Sequence, residues 1–274
     1  MLDQRSAPFS DLSLSKRLEL TEGRGNAAFV EVQARVEPAS GATWQQFGGT
    51  LAMFSGVGSP LTQTFGLGVG AALTDADLSA IEAFFTSRGS SVIHEVSPLA
   101  GVEASATLAA RGYRPVELSS VMFRSIGNDA SVLEVNPRIR VRTVTPEEAG
   151  WYASVSARGW SESAEVQAFV ERFARIGVDY CTCIVAEIDG EAVATAALFM
   201  WEGVGLLAGA STVPEGRRQG AQSALLGWRL KRLAVEGCDL AMMCAAPGSS
   251  SQRNAERNGF RIAYTRTKWQ LDRT

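Results

Sequence analysis

The stretch from residue 212 to residue 226, TVPEGRRQGAQSALL, contains residue types that can hold an anionic ligand. It follows an apolar run that predicts a strand, and it leads into residues 223–236, whose pattern predicts a helix. Arg217, Arg218 and Gly220 therefore fall where this helix begins. Because the first N–H groups of a helix lack partners within the helix and carry partial positive charge, glycine and arginine here predict a seat for a phosphate-bearing ligand.

The loop resembles the acetyl-CoA loop of the GNAT superfamily of acyl-CoA-dependent N-acyltransferases. The pattern of that family is Arg or Gln, two residues, Gly, one residue, and then Gly or Ala. Arg217 and Gly220 fit this pattern, whereas Gln222 stands where the family usually has a small residue. The resemblance therefore extends over the phosphate seat, with one departure at its last position.

The order of elements after the loop strengthens this resemblance. Residues 239–245 predict a buried strand, and residues 251–258 predict a short helix that ends in the pair Gly259-Phe260. The last helix of the family commonly closes in the same Gly-Phe pair. The resemblance covers residues 138–274.

The length and composition of the chain limit its class. Its 274 residues suggest two domains of ordinary size or one large domain, and 46% hydrophobic with 20% charged residues is typical of a soluble globular protein. The sequence shows neither an apolar run of membrane-spanning length nor a signal-peptide core, so we expect a cytoplasmic location and no membrane partner. The net charge of −3 disfavours general nucleic-acid binding.

The sequence also disfavours metal chemistry and catalysis by histidine. Cys181 and Cys183 are separated by one residue, which is not a zinc-ligand spacing. The single histidine, His94, lies in an alternating strand-like segment with no nucleophile motif near it, so we interpret it as structural. We therefore expect no metal.

The order of elements in the second half recurs in the first half. Near Gly112 and again near Gly259 the sequence predicts a helix, the glycine, an aromatic residue, an arginine and a strand. At the position of the phosphate loop the first half has no arginine, and Asp75 and Asp77 begin the helix there. Because carboxylates at a helix N-terminus would repel a diphosphate, we expect the first half to keep the fold without the acyl-CoA loop. The glycines of residues 66–70 do not have the spacing of a dinucleotide-binding turn.

The sequence therefore predicts an α/β fold of two tandem GNAT-like domains, each with a mixed, mostly antiparallel sheet flanked by helices. The sheet order is what the resemblance implies. We expect a degenerate first domain at residues 1–127, a linker at residues 128–137 and an acetyl-CoA-binding catalytic domain at residues 138–274. The first domain opens with two helix-like stretches, residues 9–20 and residues 26–36.

Two local signals place elements in the second half. Thr145 followed by Pro146 and Glu148 predicts a helix start, because a hydroxyl cap, a first-turn proline and an acid favour one. The pair Asp189-Gly190 between two apolar runs predicts a β-hairpin.

The resemblance implies how such a domain uses acetyl-CoA. An amine attacks the thioester carbonyl directly, while the loop holds the diphosphate and a backbone N–H polarises the carbonyl. The strand before the loop pairs with the amides of the pantetheine arm, and the last helix adds hydrogen bonds to that arm. The cofactor-binding residues expected on this basis are Thr212, Val213, Arg217, Arg218, Gln219, Gly220, Ala221, Gln222, Ser223, Ser251 and Asn254.

Two side chains are candidates for proton transfer. Glu187 lies at the end of a predicted strand, where some relatives place the base that takes the proton of the amine through water. Many relatives protonate the departing thiolate with a Tyr four residues before the Gly of Gly-Phe. This chain has Ala255 there, and Tyr264 is the nearest replacement. Solvent is an alternative acid, since a thiol with a pKa of ~8.5 needs little help.

The implied activity is acetyl-CoA-dependent transfer of an acetyl group to a primary amine of a small molecule or a protein. The alternative is a domain that binds acyl-CoA without turnover, as a sensor or interaction module, and Ala255 and Gln222 favour it. A donor with a longer acyl chain or an aminoacyl group is a third option. We expect the acceptor near Trp160, Phe199 and Trp201, and a homodimer is one option for the assembly.

Overall fold

The computed structural model describes residues 8–127, 136–160 and 163–272. Within these residues the chain forms two compact units. The first unit consists of the described residues up to Ser125 together with those from Met242 onward, and the second runs from Ile126 to Ala241. None of the described helices is long and apolar enough to cross a membrane.

Helices and strands occur along both halves of the chain, which confirms the predicted α/β class. The helices of the described residues are α1 (Leu12–Val36), α2 (Asp75–Thr86), α3 (Val102–Ala110), α4 (Ala149–Trp160), α5 (Ala164–Gly177), α6 (Ala221–Val235) and α7 (Ser250–Arg257). The strands are β1 (Thr43–Phe47), β2 (Thr50–Phe54), β3 (Gln63–Phe65), β4 (Val92–Val96), β5 (Arg114–Ser125), β6 (Ile139–Thr143), β7 (Thr182–Ile188), β8 (Glu191–Trp201), β9 (Val204–Thr212), β10 (Leu240–Ala245) and β11 (Arg261–Leu271). Short 3-10 turns lie at Pro38–Ser40, Pro98–Ala100, Pro146–Glu148 and Pro214–Gly216.

The sheet of the second unit is antiparallel from β6 to β9. Its strands lie in the order β9-β8-β7-β6. The predicted hairpin is confirmed, because β7 pairs with β8 and the turn residues Asp189 and Gly190 both have positive φ. The predicted helix start is confirmed too, because Thr145 and Glu148 form a capping box at the turn that leads into α4.

Helices α4 and α6 pack on this sheet through apolar side chains. Val155 of α4 and Leu225 of α6 are buried in one cluster with Ile184 and Ala186 of β7. Burial of a large aliphatic side chain contributes about 1.5–3 kcal/mol. The packing therefore fixes α6 against the sheet whose strand β9 leads into it.

The sheet of the first unit contains a strand from the end of the chain. Its order is β1-β2-β3-β4-β11-β5, with β11 antiparallel to both β4 and β5 and with β3 parallel to β4. The sheet is therefore mixed, as predicted. The last strand of the sequence lies between two strands of the first half.

This placement divides the folded chain differently from the repeat in the sequence. The repeat predicts domains at residues 1–127 and 138–274, whereas contacts group the chain from Met242 onward with the first half. The boundary between the two units falls within β10, between Ala241 and Met242. The division into domains at residues 1–127 and 138–274 therefore stays a prediction. Residues 128–135 of the predicted linker lie outside the described residues.

The first helix is longer than its sequence pattern predicts. Residues 12–20 and 26–36 of the two predicted stretches are helical, but the interruption between them was wrong, because α1 is one helix of 25 residues. Gly23 lies in its middle, and a Cβ there would stand 3.0 Å from atoms of Leu51 and Phe65. Packing against the sheet therefore outweighs the local cost of a glycine within the helix.

Buried charges join α1 to β11 in the first unit. The Nη1 of Arg266 lies 2.7 Å from Oε2 of Glu22, and its Nε lies 2.9 Å from Oε2 of Glu95. Oε1 of Glu19 lies 3.5 Å from the same guanidinium group. Because burial removes Glu19 from water, its pKa rises to about 7. Loss of Arg266 would leave these carboxylates buried without a counter-charge, which is strongly destabilising.

The glycine segment of the first half serves packing. A Cβ on Gly49 would lie 2.9 Å from backbone atoms of Gly70 and Ala71, and a Cβ on Gly66 would lie 2.9 Å from the carbonyl oxygen of Gly49. The segment therefore lies against the turn between β1 and β2, backbone on backbone. This close approach accounts for the glycines without a nucleotide ligand.

We expect Gly49→Ala to destabilise the protein by about 1–3 kcal/mol, because the added methyl group would overlap backbone atoms that cannot rotate away. Gly127→Ala is the matched control, since a Cβ there meets nothing within 4 Å and neither glycine has a positive φ. Denaturant midpoints followed by tryptophan fluorescence measure the difference. Equal midpoints for the two variants would contradict the packing role.

Candidate functional site

A tight turn holds the loop between β9 and α6. The N–H of Val213 donates to the carbonyl of Val193 at 3.0 Å, and the N–H of Gly216 donates to the carbonyl of Val213 at 2.9 Å. A Cβ on Gly216 would lie 2.6 Å from the Cβ of Val193, so glycine is required for this approach to β8. The turn fixes the point at which the chain leaves β9 and enters the loop.

The loop begins α6 without a side-chain cap. Gly220 is the N-cap residue with a φ of 90°, and no side chain bonds to the first turn. Arg218 also has a positive φ, 62°, and Asn136 Nδ2 donates to the carbonyl oxygen of Gln219 at 3.1 Å. The N–H groups of residues 221–223 therefore have no acceptor within the described part of the chain.

Two arginines add positive charge at this helix start. Arg217 and Arg218 are exposed, and within the described segments neither forms an ion pair or a side-chain hydrogen bond. The acid of the preceding turn, Glu215, is paired with Arg158. Free N–H groups, the positive end of the helix dipole and two available guanidinium groups together suit a diphosphate.

The corresponding helix of the first half has a side-chain cap and acids in its first turn, which disfavour such a ligand. The hydroxyl of Thr74 caps α2 by accepting from the N–H of Asp77 at 3.0 Å. Asp75 in the same turn pairs with Arg111 at 2.8 Å. These contacts support the prediction that the first half has no acyl-CoA loop.

Strand β9 carries a β-bulge shortly before the loop. Thr195 of β8 pairs with Ser211 of β9, and Ala197 pairs with Ala208. Between these two pairs β8 advances by two residues and β9 by three, so β9 has one extra residue. Gly209, within this stretch, has a φ of 60°. Because a bulge interrupts the hydrogen-bond ladder, it leaves backbone groups of β9 unpaired with β8 near the loop.

Two buried side chains hold β8 opposite the bulge. The hydroxyl of Tyr152 on α4 donates to the carbonyl of Ala196 at 3.1 Å, and Nη1 of Arg229 on α6 donates to the carbonyl of Ala197 at 3.4 Å. Burial lowers the pKa of Arg229 to about 10. Sequence analysis missed both residues, although Arg229 lies one turn after Leu225 on the apolar face of α6, which signals burial.

The side chain of Gln222, the departure from the family pattern, turns back to the end of β9. Its Nε2 donates to the carbonyl oxygen of Ser211 at 2.9 Å and to Oγ1 of Thr212 at 2.7 Å. From α4, Gly159 approaches the same strand end so closely that a Cβ would lie 2.7 Å from the nitrogen of Thr212. Of the predicted strand contacts, the N–H of Val213 is already used by β8.

The predicted contacts from the last helix lie in the first unit, whereas the loop lies in the second. Ser251 and Asn254 are exposed residues of α7. The cap of α7 is Ser249, whose hydroxyl accepts from the N–H of Gln252 at 3.2 Å. The roles of Ser251 and Asn254 in binding stay predictions.

The contacts of Glu187 and Tyr264 favour structural roles. Arg142 Nε donates to Oε1 of Glu187 at 2.7 Å, so the proposed base is held in an ion pair. Tyr264 donates its hydroxyl to Oε1 of Glu19 at 2.9 Å, and burial raises the pKa of Tyr264 well above its ordinary value. A phenol with a raised pKa is a weaker acid for a thiolate. Both catalytic roles stay predictions.

The aromatic residues expected near the acceptor lie on two elements of the second unit. Trp160 is exposed at the end of α4. Phe199 and Trp201 are half-buried on β8, and the ring of Phe199 lies 6.2 Å from that of Tyr180. In the described residues no group of three or more His, Cys, Asp or Glu side chains could hold a metal ion.

The single histidine belongs to a buried hydrogen-bond chain in the first unit. Nδ1 of His94 lies 2.7 Å from Oγ1 of Thr64, and its Nε2 lies 3.1 Å from the hydroxyl of Tyr113. Burial lowers the pKa of His94 to about 3. These contacts agree with a structural role.

Comparison with protein families matches residues 151–260 to the acetyltransferase (GNAT) family. The matched span contains the bulge of β9, the loop and the whole of α6 and α7. The part of the chain that carries the candidate site therefore matches the GNAT family model, which confirms the resemblance. No match was found among curated proteins.

Solved structures match most of the chain. A GCN5-related N-acetyltransferase from Kribbella flavida has a TM-score of 0.65 at 18% identity, over 90% of this chain and 96% of that chain. One from Sphaerobacter thermophilus has a TM-score of 0.55 at 16% identity, over 91% and 93%. A tandem GNAT protein from the clavulanic acid biosynthesis pathway has a TM-score of 0.55 at 15% identity, over 80% and 73%. At these identities the matches establish the fold, which is the predicted tandem GNAT-like one.

We expect the imidazole proton resonances of His94 to stay constant from about pH 8 to about pH 5 in an NMR titration, since the folded-state pKa lies below the ordinary ~6.5. The chain has one histidine, so the assignment is unambiguous. Because the unfolded chain binds this proton first, the stabilisation from neutral His94 is complete above about pH 6.5 and declines as the pH falls towards about 3. A midpoint near 6.5 in the folded protein would show an accessible imidazole and overturn this assignment.

Proposed function

We propose that the protein is an acetyl-CoA-dependent N-acetyltransferase that acts on a primary amine of a small molecule or a protein. The observation that carries the proposal is the start of α6, where the N–H groups of residues 221–223 and the side chains of Arg217 and Arg218 have no partners within the described chain. The family match of residues 151–260 supports acyl transfer in general. The acetyl group and the amine are the specific parts of the proposal.

In this proposal the loop binds the diphosphate of acetyl-CoA. The N–H groups from Gln219 to Ser223 donate to phosphate oxygens, and Arg217 and Arg218 add charge-assisted hydrogen bonds. The pantetheine arm then runs along the end of β9 at Thr212, where an extended ligand can add to the strand. The thioester thereby comes next to the bulge at Gly209.

The chemical step joins the nitrogen of a neutral amine to the thioester carbon in a ternary complex. The C–N bond forms, the C–S bond breaks, and the proton lost by the nitrogen is balanced by the proton gained by the sulfur. A backbone N–H of the bulge stabilises the negative charge that develops on the carbonyl oxygen. Tyr152 and Arg229 support this geometry by holding β8 opposite the bulge.

Proton transfer does not require a dedicated acid in this proposal. A departing thiolate whose thiol has a pKa of ~8.5 is readily protonated by solvent near neutral pH. Glu187 and Tyr264 are the side chains that the sequence suggests, but each already has a partner, Arg142 and Glu19 respectively. We therefore base the proposal on the binding site for acetyl-CoA at the start of α6, and not on a catalytic acid or base.

A second candidate function is binding of acyl-CoA without turnover. It is favoured by Ala255, where many relatives have a Tyr, and by the buried hydrogen bond of Tyr264. Release of free thiol from acetyl-CoA in the presence of a panel of primary amines separates the two. Turnover with any amine supports the transferase, whereas tight binding without thiol release across the panel supports the sensor.

We expect the double variant Arg217→Ala/Arg218→Ala to bind acetyl-CoA at least about tenfold more weakly than the unmodified protein, since each charge-assisted hydrogen bond contributes about 1.5–3 kcal/mol. Isothermal titration of acetyl-CoA into each protein measures the two dissociation constants.

The matched control is Lys16→Ala/Arg175→Ala, which removes the same charge from two exposed residues without ion pairs in the described chain. Its affinity should equal that of the unmodified protein. Equal weakening by both double variants would attribute the effect to net charge and contradict the seat. Absence of binding by the unmodified protein would contradict the function itself.

A further inference from the structure

Gln222 is anchored at the junction between α6 and β9. It is the second residue of α6, and its half-buried side chain reaches back to the strand end. Ser211 O and Thr212 Oγ1 both accept from its Nε2, at 2.9 and 2.7 Å. Because a carbonyl oxygen can only accept, the amide group is oriented with its nitrogen towards the strand.

This orientation leaves one group of Gln222 available. Both N–H donors of its amide have acceptors, whereas Oε1 has no partner among the described residues. Oε1 is also absent from the buried polar atoms that lack a partner, so it is reachable from solvent. The side chain therefore presents a fixed acceptor beside the end of β9.

The same contacts keep Gln222 out of the phosphate seat. Its side chain leaves the first turn of α6 in the direction of Ser211 and Thr212. The free N–H groups of residues 221–223 remain without a protein partner. A large residue at this position is thus compatible with a bound diphosphate, and it changes the neighbouring surface along β9.

Several groups of the strand end that Gln222 joins are already engaged. The carbonyl of Ser211 accepts from Gln222, and the hydroxyl of Ser211 is bonded to Oγ1 of Thr195 at 2.8 Å. Gly159 lies against the nitrogen of Thr212 on the side of α4. A ligand amide N–H that arrives here can therefore pair with the amide oxygen of Gln222.

We propose that Gln222 is a specificity-determining residue whose Oε1 accepts a hydrogen bond from an amide N–H of the pantetheine arm of the acyl-CoA donor. The inference rests on the proposed function and adds the residue that recognises the arm. It assigns the diphosphate and the arm to different parts of one helix turn: backbone N–H groups hold the diphosphate, and the Gln222 side chain holds the arm.

The test compares two ligands that differ only by the arm. CoA contains the pantetheine arm, and 3′-phospho-ADP is the remainder of the molecule without it. Isothermal titration of both ligands is performed with the unmodified protein, Gln222→Ala, Gln222→Met and Gln46→Ala. Methionine keeps the length of the side chain without an amide, and Gln46 is an exposed glutamine on β1 whose Nε2 donates to the carbonyl of Gly48.

We expect Gln222→Ala and Gln222→Met to bind CoA about five- to tenfold more weakly, which corresponds to the loss of one hydrogen bond. Both variants should bind 3′-phospho-ADP as the unmodified protein does, which also shows that the seat is folded. Gln46→Ala should leave both affinities unchanged.

Three results would overturn the inference while the proposed function stands. If both variants bound CoA and 3′-phospho-ADP with equally reduced affinity, Gln222 would stabilise the loop and would not contact the arm. Tighter binding of CoA by Gln222→Ala would make its side chain an obstruction. Unchanged affinity for CoA in both variants would remove it from the site. Failure of the unmodified protein to bind either ligand would instead reject the proposed function, and the inference with it.

Discussion

The candidate site depends on the N–H groups at the start of α6, which have no partner in the described chain. A capping side chain would satisfy one of them, as Thr74 does for the N–H of Asp77 in α2, and would occupy the place of a ligand. Gly220 supplies no side-chain oxygen, yet glycine at an N-cap costs only a few tenths of a kcal/mol relative to a good cap. The helix can therefore keep its donors open at little cost in stability.

Open donors are useful only if they are held in place before a ligand arrives. The close approach of Gly216 to Val193 fixes the turn, and Gln222 ties the first turn of α6 to the end of β9. Arg229 and Tyr152 hold β8 from two helices. Each contact limits the reorganisation that binding would otherwise require, which is the condition for electrostatic stabilisation by a site.

The local chemistry of the site could be predicted from the sequence because it is written in neighbouring residues. Arginines and a glycine before a helical pattern predicted the loop, and Asp189-Gly190 predicted the hairpin that the structure contains. The direction of the Gln222 side chain could not be predicted, because it depends on hydrogen bonds to Ser211 and Thr212. The spacing of residues along the sequence does not show which way a side chain points. The bulge of β9 was missed for the same reason.

Contacts between distant parts of the sequence were the least predictable. The pattern of α1 contains a glycine, Gly23, and the local prediction of a break failed because Leu51 and Phe65 pack there. The repeated order of elements predicted the strand β11 but not its neighbours, β4 and β5, which come from the other half of the sequence. Strand pairing is a long-range property, and alternation of residues along one strand does not specify it.

The position of β11 also decides what the first half can do alone. Residues 1–127 contain β4 and β5, but in the folded unit these strands are separated by β11, to which both are hydrogen-bonded. Arg266 of β11 is the counter-charge for Glu22 and Glu95, two acids of the first half. Without β11 the sheet would have two unpaired edges, and these carboxylates would lose their partner. The first half of the sequence therefore depends on the last strand for a complete sheet, although the candidate loop lies in neither of them.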